Sequence, residues 1–369
     1  MNITILNWRD PEHPLAGGAE QSLFQHAKYW KRKGAKITWI SSGFEKSKSN
    51  FDLEGIKFYR LGSHFTVHLL SAFYLRNIKD TDIYIDSFHF LPFFTPIYKN
   101  KMKVIALINE PAKNAWFKNI IFPVALAGFL FEPFFFKFYK EVPFITSATS
   151  IKRELKNLGI SSGKINVIPH GVTIAKSKKK YVIEKNPTII YLSQLSPDKG
   201  IEDAIKAVGI MQQHRDINFW IAGKAISKSY EAKIKKLIKS SKLSNVKYFG
   251  FISEEKKSEL LQKSWLLIHP SSREGWGLNV IEANIFGTPA VGYNVTGLRD
   301  SIKNKSTGLL TSINTPADIA EKCLSIIEDK KLREILSKNA KNWARGFNWD
   351  ASGEKSWNLV NKIYEKSKK

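Results

Sequence analysis

The sequence predicts two α/β domains, each built on a doubly wound parallel sheet. Three observations carry this expectation. The chain has 369 residues, long for one domain and ample for two. Short apolar runs alternate with helical periodicity, the pattern of parallel strands joined by crossover helices. A Lys-rich stretch without apolar periodicity, residues 173–187, reads as a linker between the two. The domains are therefore placed at 1–172 and 188–349.

Composition bounds the function. Hydrophobic residues make up 43% of the chain, enough for packed cores. The single cysteine, Cys323, excludes a disulfide framework and a Cys-based metal site, and reads as a small core residue. The net charge is +25, from 58 Lys and Arg against 33 Asp and Glu. Such a field draws anionic partners: nucleic acid, anionic headgroups or phosphorylated substrates. Solvated Lys-rich helix faces give the same total. Basic and aromatic residues lack the spacing of a nucleic-acid motif, so no specific nucleic-acid partner is expected. Met1 to Thr4 lacks a basic leader, and Arg9-Asp10 interrupts any apolar run. The segment reads as a first strand and not a signal peptide, and a cytoplasmic location is expected.

In order, Ile3–Leu6 reads as the first strand. A loop with Pro11 and Pro14 follows, then Gly17-Gly18-Ala19-Glu20. A helix starts there with Leu23, Phe24, Ala27 and Trp30 on one face. Glycines at a helix start let the backbone approach an anion, so Gly17 and Gly18 are candidate phosphate contacts. Strands are expected at Lys36–Ile40, Ile83–Ile85 and Val104–Ile108, whereas residues 43–80 carry no clear pattern. Residues 115–139 are dense in aromatics and poor in charge. Pro123, Glu132 and Pro133 are expected to break a membrane span, which needs about 20 apolar residues. Two readings stay open: a core helix pair, or a pair whose apolar flank rests in a membrane interface. In the second, segment 113–140 meets an anionic membrane surface through Lys113, Lys118, Lys137 and Lys140. Pro143–Thr146 passes to a helix at Ser147–Leu155, and Ile165–Val172 is a strand ending in a turn at His170.

The second half opens with strand Thr188–Leu192, loop Ser193–Gly200, and a helix with Ile201, Ala204, Ile205 and Val208 on one face. Lys199, in a loop at the carboxyl edge of a parallel sheet, is well placed for a diphosphate. Strands follow at Ile217–Ala222 and Val246–Phe249. Next come strand Trp265–Ile268, a Gly-rich turn, and a helix from Leu278 to Phe286 closed by Gly287. That turn presents the amides of a helix N-terminus, which bind phosphate oxygens. Glu274 and Glu282 flank it with seven residues between them. A carboxylate would repel the phosphate, so each suits hydroxyl groups, a sugar on one side and a ribose on the other. Helical patterns at 316–344 and after Phe347–Asp350 complete the chain.

Arg273-Glu274-Gly275-Trp276-Gly277-Leu278 through Glu282-Ala283, then Gly287–Val291, Gly297–Asp300 and Thr307–Leu310, resemble the carboxy-terminal signature of family 4 retaining glycosyltransferases. Gly17–Glu20 is similar to that family's amino-terminal phosphate-facing loop. The resemblance covers nearly the whole chain, best over 145–310. It implies the GT-B architecture: two Rossmann-like domains facing across a cleft, acceptor-side first and nucleotide-sugar-binding second, with the last helix, 350–369, packing back on the first. It implies retaining transfer of a hexosyl unit from a nucleotide diphosphate sugar to a lipid-linked or cell-surface glycan. The departing phosphate oxygen takes the acceptor proton, and neither metal nor resident cofactor is needed. Glu274 would contact the donor sugar and Glu282 the ribose. Gly275, Trp276, Gly277 and Leu278 would hold the donor, Lys199 its diphosphate, and Phe251 and Ile252 would lie on the base side. His170 matches an "Asn or His, Gly, Val" element. Two positions depart: Gln194 replaces an arginine, and Asn109 a histidine near the donor sugar. The catalytic candidates are thus Glu274, Asn109 and Lys199, with His89 a further residue near the cleft. The departures keep a binding protein with weak or absent turnover as the alternative. A GT-B-fold epimerase is a third reading.

Overall fold

The computed structural model describes residues 1–78, 80–119, 121–173 and 179–368, without the side chains of 118 and 119. The linker residues Lys176 and Lys178, and the Lys118 side chain, lie outside the described residues. The chain divides into two compact units. One comprises Met1–Gly171 with the segment from Trp349 onward; the other is Val172–Asn348.

The first unit runs β1 (Asn2–Leu6), α1 (Gly18–Arg32), β2 (Lys36–Ser41), β3 (Asn50–Leu53), β4 (Ile56–Arg60), α2 (Val67–Arg76), β5 (Ile83–Phe88), α3 (Thr95–Tyr98), β6 (Val104–Ile108), α4 (Trp116–Asn119), α5 (Phe122–Phe135), β7 (Phe144–Thr146), α6 (Thr149–Asn157) and β8 (Ile165–Val167). Its sheet has the order β3-β4-β2-β1-β5-β6-β7-β8. Pairing is parallel except at the edge strand β3, which is antiparallel to β4. Chain direction across the sheet reverses between β1 and β5, and a cleft opens above such a reversal. The inner strands are buried on both faces, as β6 illustrates, because helices cover a parallel sheet on both sides.

Residues 43–80, unreadable in sequence, form the β3–β4 hairpin and α2. Along β4, Ile56, Phe58 and Arg60 all point inward, and the inward arginine disguises the alternation. The structure also corrects the reading of residues 122–135. Pro123 sits in the first turn, where its missing N–H costs nothing, and α5 continues through Pro133 in its last turn. Glu132 does not interrupt the apolar face. It turns inward and accepts hydrogen bonds from Ala112 N at 2.5 Å, Lys113 N at 2.7 Å and Trp116 Nε1 at 3.2 Å. Phe122–Tyr139 is thus long and apolar enough to cross a membrane by length and composition, with only 22% of it buried.

The second unit runs β9 (Thr188–Leu192), α7 (Ile201–Gln212), β10 (Asn218–Ala222), α8 (Lys228–Ser240), β11 (Val246–Gly250), α9 (Glu254–Lys263), β12 (Leu266–His269), α10 (Leu278–Ile285), β13 (Ala290–Gly292), α11 (Leu298–Ser301), β14 (Gly308–Leu310), α12 (Pro316–Glu328) and α13 (Lys330–Ala344). All strands are parallel, in the order β11-β10-β9-β12-β13-β14. The switch point lies between β9 and β12. The periodic stretch 316–344 is two helices because Asp329 stops one and caps the next, its side chain accepting from Leu332 N. Cys323 is fully buried in α12.

The final helix, α14 (Trp349–Lys368), packs on α1 in the first unit. His26 Nδ1 and Trp30 Nε1 both meet Ser356 Oγ at 2.9 Å, and Gly353 lies flat on the Tyr29 ring.

A charge-paired turn at the switch point of the second sheet

Two loops meet above the β9–β12 boundary: 193–200 after β9, and 270–277 after β12. Their backbones interlock. Ser272 N donates to Asp198 O at 2.9 Å. Gly200, at φ +71°, lies so close to Pro270 O that a Cβ there would stand 1.9 Å from it. Gly297, at φ +81° before α11, packs as tightly on Glu274 O, at 2.1 Å for the same test. Only glycine fits either place. Below the first loop, the buried Tyr191 hydroxyl lies 3.2 Å from both the Gln194 and Lys199 carbonyl oxygens and donates to one of them. Burial lifts that phenol well above its usual range, so it stays protonated.

This framework brings Lys199 Nζ to 2.8 Å from Glu274 Oε2. Both side chains are partly shielded, 20% and 17% exposed. His269, at the end of β12 and fully buried, places Nε2 3.2 Å from the same oxygen. Its other nitrogen faces Asn279 Nδ2 at 3.3 Å, and Asn279 also donates to Leu192 O. An amide N–H facing Nδ1 assigns the imidazole proton to Nε2, pointing at Glu274. Burial pushes the Glu274 carboxyl up, but the Lys199 charge and the His269 hydrogen bond pull harder. The group ends well below the usual carboxylate range.

Glu282, on α10, accepts from Lys257 Nζ at 2.7 Å, and Lys257 also pairs with Glu254. Burial pushes Glu282 up by more than Lys257 pulls it down. The two glutamates thus share a turn but differ in state: one is firmly ionised, the other more easily protonated. Gly275 and Gly277 are buried in the turn, and Leu278 opens α10. Trp276 is 5% exposed, its ring 5.3 Å from Phe347. Its ring therefore packs against the core, and its indole N–H is shielded without an acceptor among the described residues. Gln194 is exposed beside the Lys199 loop, Phe251 is 82% exposed after β11, and Ile252 packs on the core.

The remaining candidates belong to the first unit. Phe88 pairs with Ile108, so His89 and Asn109 leave adjacent strand ends. Gly18 opens α1, but the Gly17 amide donates to Glu20 Oε2 at 2.7 Å, a capping box that places a carboxylate where an anion was expected. His170 is buried, with Nδ1 2.6 Å from Ser22 Oγ. Among the described residues, no group of three His, Cys, Asp or Glu side chains is placed to hold a metal. Sequence reasoning missed His269, Asn279, Lys257 and Tyr191. The one local signal was a histidine ending a buried strand.

Residues 173–343 match the family model described as glycosyl transferases group 1. An uncharacterized glycosyltransferase of Methanocaldococcus jannaschii is 30% identical over 179 residues, 48% of this chain and 47% of its own length. The N,N'-diacetylbacillosaminyl-diphospho-undecaprenol alpha-1,3-N-acetylgalactosaminyltransferase of Campylobacter jejuni is 27% identical over 219 residues, 56% of each chain. The chain thus spans about half the length of the curated relatives it matches. The sucrose-phosphate synthase structure from Thermosynechococcus elongatus superposes with a TM-score of 0.80 at 16% identity, covering 99% of each chain. An Anabaena protein in complex with UDP and glucose does so at 0.73 and 16% identity, covering 98% of this chain and all of that one. These two similarities carry the fold, GT-B. The Lys199–Glu274 turn lies inside the matched segment.

Proposed function

We propose that the chain is a retaining glycosyltransferase moving a hexosyl unit from a nucleotide diphosphate sugar to a lipid-linked or cell-surface glycan. The observation that carries this reading is the Lys199–Glu274 pair, 2.8 Å apart at the switch point of a parallel sheet, beside the start of α10. A lysine offers three N–H donors, so Lys199 holds Glu274 and a diphosphate oxygen together. The α10 amides add positive potential where the leaving group gathers charge. Glu274, fixed as a carboxylate, accepts from a donor-sugar hydroxyl. Glu282 keeps acceptor capacity beyond its Lys257 contact for the ribose, and the backbone near Phe251 takes the base. In the step, the bond from anomeric carbon to phosphate oxygen breaks and the acceptor oxygen bonds that carbon on the same face. The acceptor proton passes to the departing phosphate oxygen. The nucleotide sugar is a substrate, and the reading assigns no resident cofactor or metal.

Support for the donor comes from the group 1 match and from the Anabaena neighbour's bound UDP and glucose. Support for a lipid-linked acceptor comes from the Campylobacter jejuni relative, named for a diphospho-undecaprenol substrate. The exposed face of α5, with Phe122, Leu130, Phe131 and Phe134, adds a surface suited to a membrane interface. Lys137 and Lys140 flank it to meet anionic headgroups on the cytoplasmic leaflet.

A second reading, a binding protein with little turnover, is favoured by Gln194 and Asn109. Gln194 brings no charge beside Lys199, and Asn109 cannot carry a proton as a histidine does. One experiment separates the two: incubation with UDP-, GDP- and ADP-sugars and undecaprenyl-diphosphate saccharides, following nucleoside diphosphate release and anomeric configuration. Release with retained configuration supports transfer. Tight donor binding with no release from any pair sinks it in favour of the second reading.

A further inference from the structure

The carboxyl edge of the first sheet holds side chains that the reading above does not use. β1 ends at Leu6, and the loop beyond it carries Trp8, Arg9, Asp10 and His13. That loop is anchored from beneath. Asp10, fully buried, accepts from Ser41 Oγ at 2.8 Å, from Glu12 N at 2.9 Å, and from Arg60 Nε and Nη2 at 2.7 and 2.9 Å. Arg60 lies between the Phe44 and Phe51 rings, 4.5 and 4.2 Å from their centroids. Trp39 Nε1 donates to Arg9 O at 3.1 Å, and Ser42 Oγ to Trp8 O at 2.7 Å. Burying an ion pair is a costly way to gain stability. Here it holds a surface loop in one conformation, and preorganisation of that kind favours binding.

On this base the Trp8 ring meets three imidazoles: His89 at 5.0 Å and His13 and His64 at 6.2 Å. The Arg9 guanidinium lies 3.8 Å over the same indole. Leu15 N donates to His13 Nδ1 at 3.1 Å, which assigns the His13 proton to Nε2. Burial and the Arg9 charge hold this imidazole neutral, pushed down to about 4.

Two donors decide the ligand. Trp8 Nε1–H and Arg9 Nε–H are both shielded from solvent, and neither finds an acceptor among the described residues. They belong to stacked neighbours, and both groups donate only. Asp10 is already committed to Arg60; the carboxylate whose charge reaches Arg9 is Glu20, which accepts from Gly17 N through Oε2 and leaves Oε1 without a partner among the described residues. One acceptor-rich anionic group would satisfy both. Beyond His13, whose ring is 5.2 Å from Phe44, lies an open surface depression lined by Phe44, Glu45, Ser47, Ser49, Arg60 and Ser63. Aromatic faces with hydroxyl groups suit a sugar ring.

We propose that this edge of the first sheet binds an anionic saccharide. Its phosphate or carboxylate rests on Arg9 Nε–H and Trp8 Nε1–H. Its sugar lies along His13, His64 and His89 toward the depression beside Phe44, where Ser47, Ser49 and Glu45 face its hydroxyls. The proposal builds on the glycosyltransferase reading, since it narrows the acceptor to a charged sugar.

The test observes indole N–H resonances of the full chain during titration with glucose 1-phosphate, glucuronate or glucose. The Trp8 signal, one of 10 tryptophans, is the one missing in Trp8→Phe. The expected result is a saturable Trp8 shift with one of the two anions and none with glucose. Glucose 1-phosphate alone would name a phosphate, glucuronate alone a carboxylate. Arg9→Gln should weaken the response about tenfold, and Trp8→Phe, which keeps an aromatic ring, should lower calorimetric affinity about threefold. UDP affinity should be unchanged in Arg9→Gln and lost in Lys199→Ala. An unmoved Trp8 signal, or Arg9→Gln binding as tightly as the native chain, overturns the proposal. So does a shift abolished by UDP or by Lys199→Ala, which would assign the ligand to the second unit. Absence of UDP binding with the Trp8 shift intact counts against the glycosyltransferase reading and supports this site.

Discussion

Glu274 keeps its charge through two neighbours, Lys199 from 75 residues away in sequence and His269 from the preceding strand. Its carboxyl is depressed in the folded chain, so it stabilises the fold above its unfolded value, and that contribution fades as pH falls toward the folded one. Lys199→Met should therefore lower Tm at pH 7, by about 4–8 °C for about 2 kcal/mol. The gap from the native protein should be full above pH of about 5 and close as pH drops below about 4. A gap that widens in acid would contradict the pairing. His269 is a positioning residue. His269→Gln keeps an N–H near the imidazole Nε2, whereas His269→Phe keeps the shape without it. The donor KM should rise about tenfold in the Phe variant and be largely restored in the Gln variant. Equal KM in both would remove the role. Lys199 and Glu274 were legible because each sits in a Gly-marked loop after an apolar strand. His269, Asn279 and Tyr191 were not. Each is an ordinary strand or helix residue, and only the register of β9 beside β12 brings them to the turn.

At the scale of elements, strands and crossover helices were legible wherever burial on both faces produced unbroken apolar runs, as in β6 and β12. β3 and β4 were not, because an edge hairpin is half exposed and Arg60 stands at an inward position. The α5 segment misled in a different way. Glu132 reads as a charge on an apolar surface, yet it folds under as the acceptor for the preceding turn. What remains outside is nearly all apolar, with Phe122, Leu130 and Phe131 exposed by 68, 56 and 58%. Changing these three to Ser should cost little stability, within about 0.5 kcal/mol each. Sedimentation with anionic vesicles at low salt should fall about tenfold or more. Native binding that ignores lipid charge, or a variant that binds as well as the native chain, would contradict the interfacial role.

At the scale of the whole molecule, the two-unit division was legible from length and from the Lys-rich stretch after residue 172. The return of α14 to the first unit has no local signature. Its partners, His26, Tyr29 and Trp30, lie more than 300 residues earlier. Because the second unit is one continuous segment, Val172–Asn348, it should fold when expressed alone. Removing α14 from the full chain should instead expose the apolar face of α1 and send the protein into aggregates, as size-exclusion chromatography would register. An excised second unit that stays unfolded by circular dichroism would show that the division is not energetic.

The most direct test of the central claim is calorimetric titration of the full chain with UDP-, GDP- and ADP-sugars, native against Lys199→Ala. One donor class should bind, and Lys199→Ala should weaken it about tenfold to a hundredfold, as loss of a charged phosphate contact does. Absence of binding by every donor, or equal binding by the Lys199→Ala chain, would contradict it.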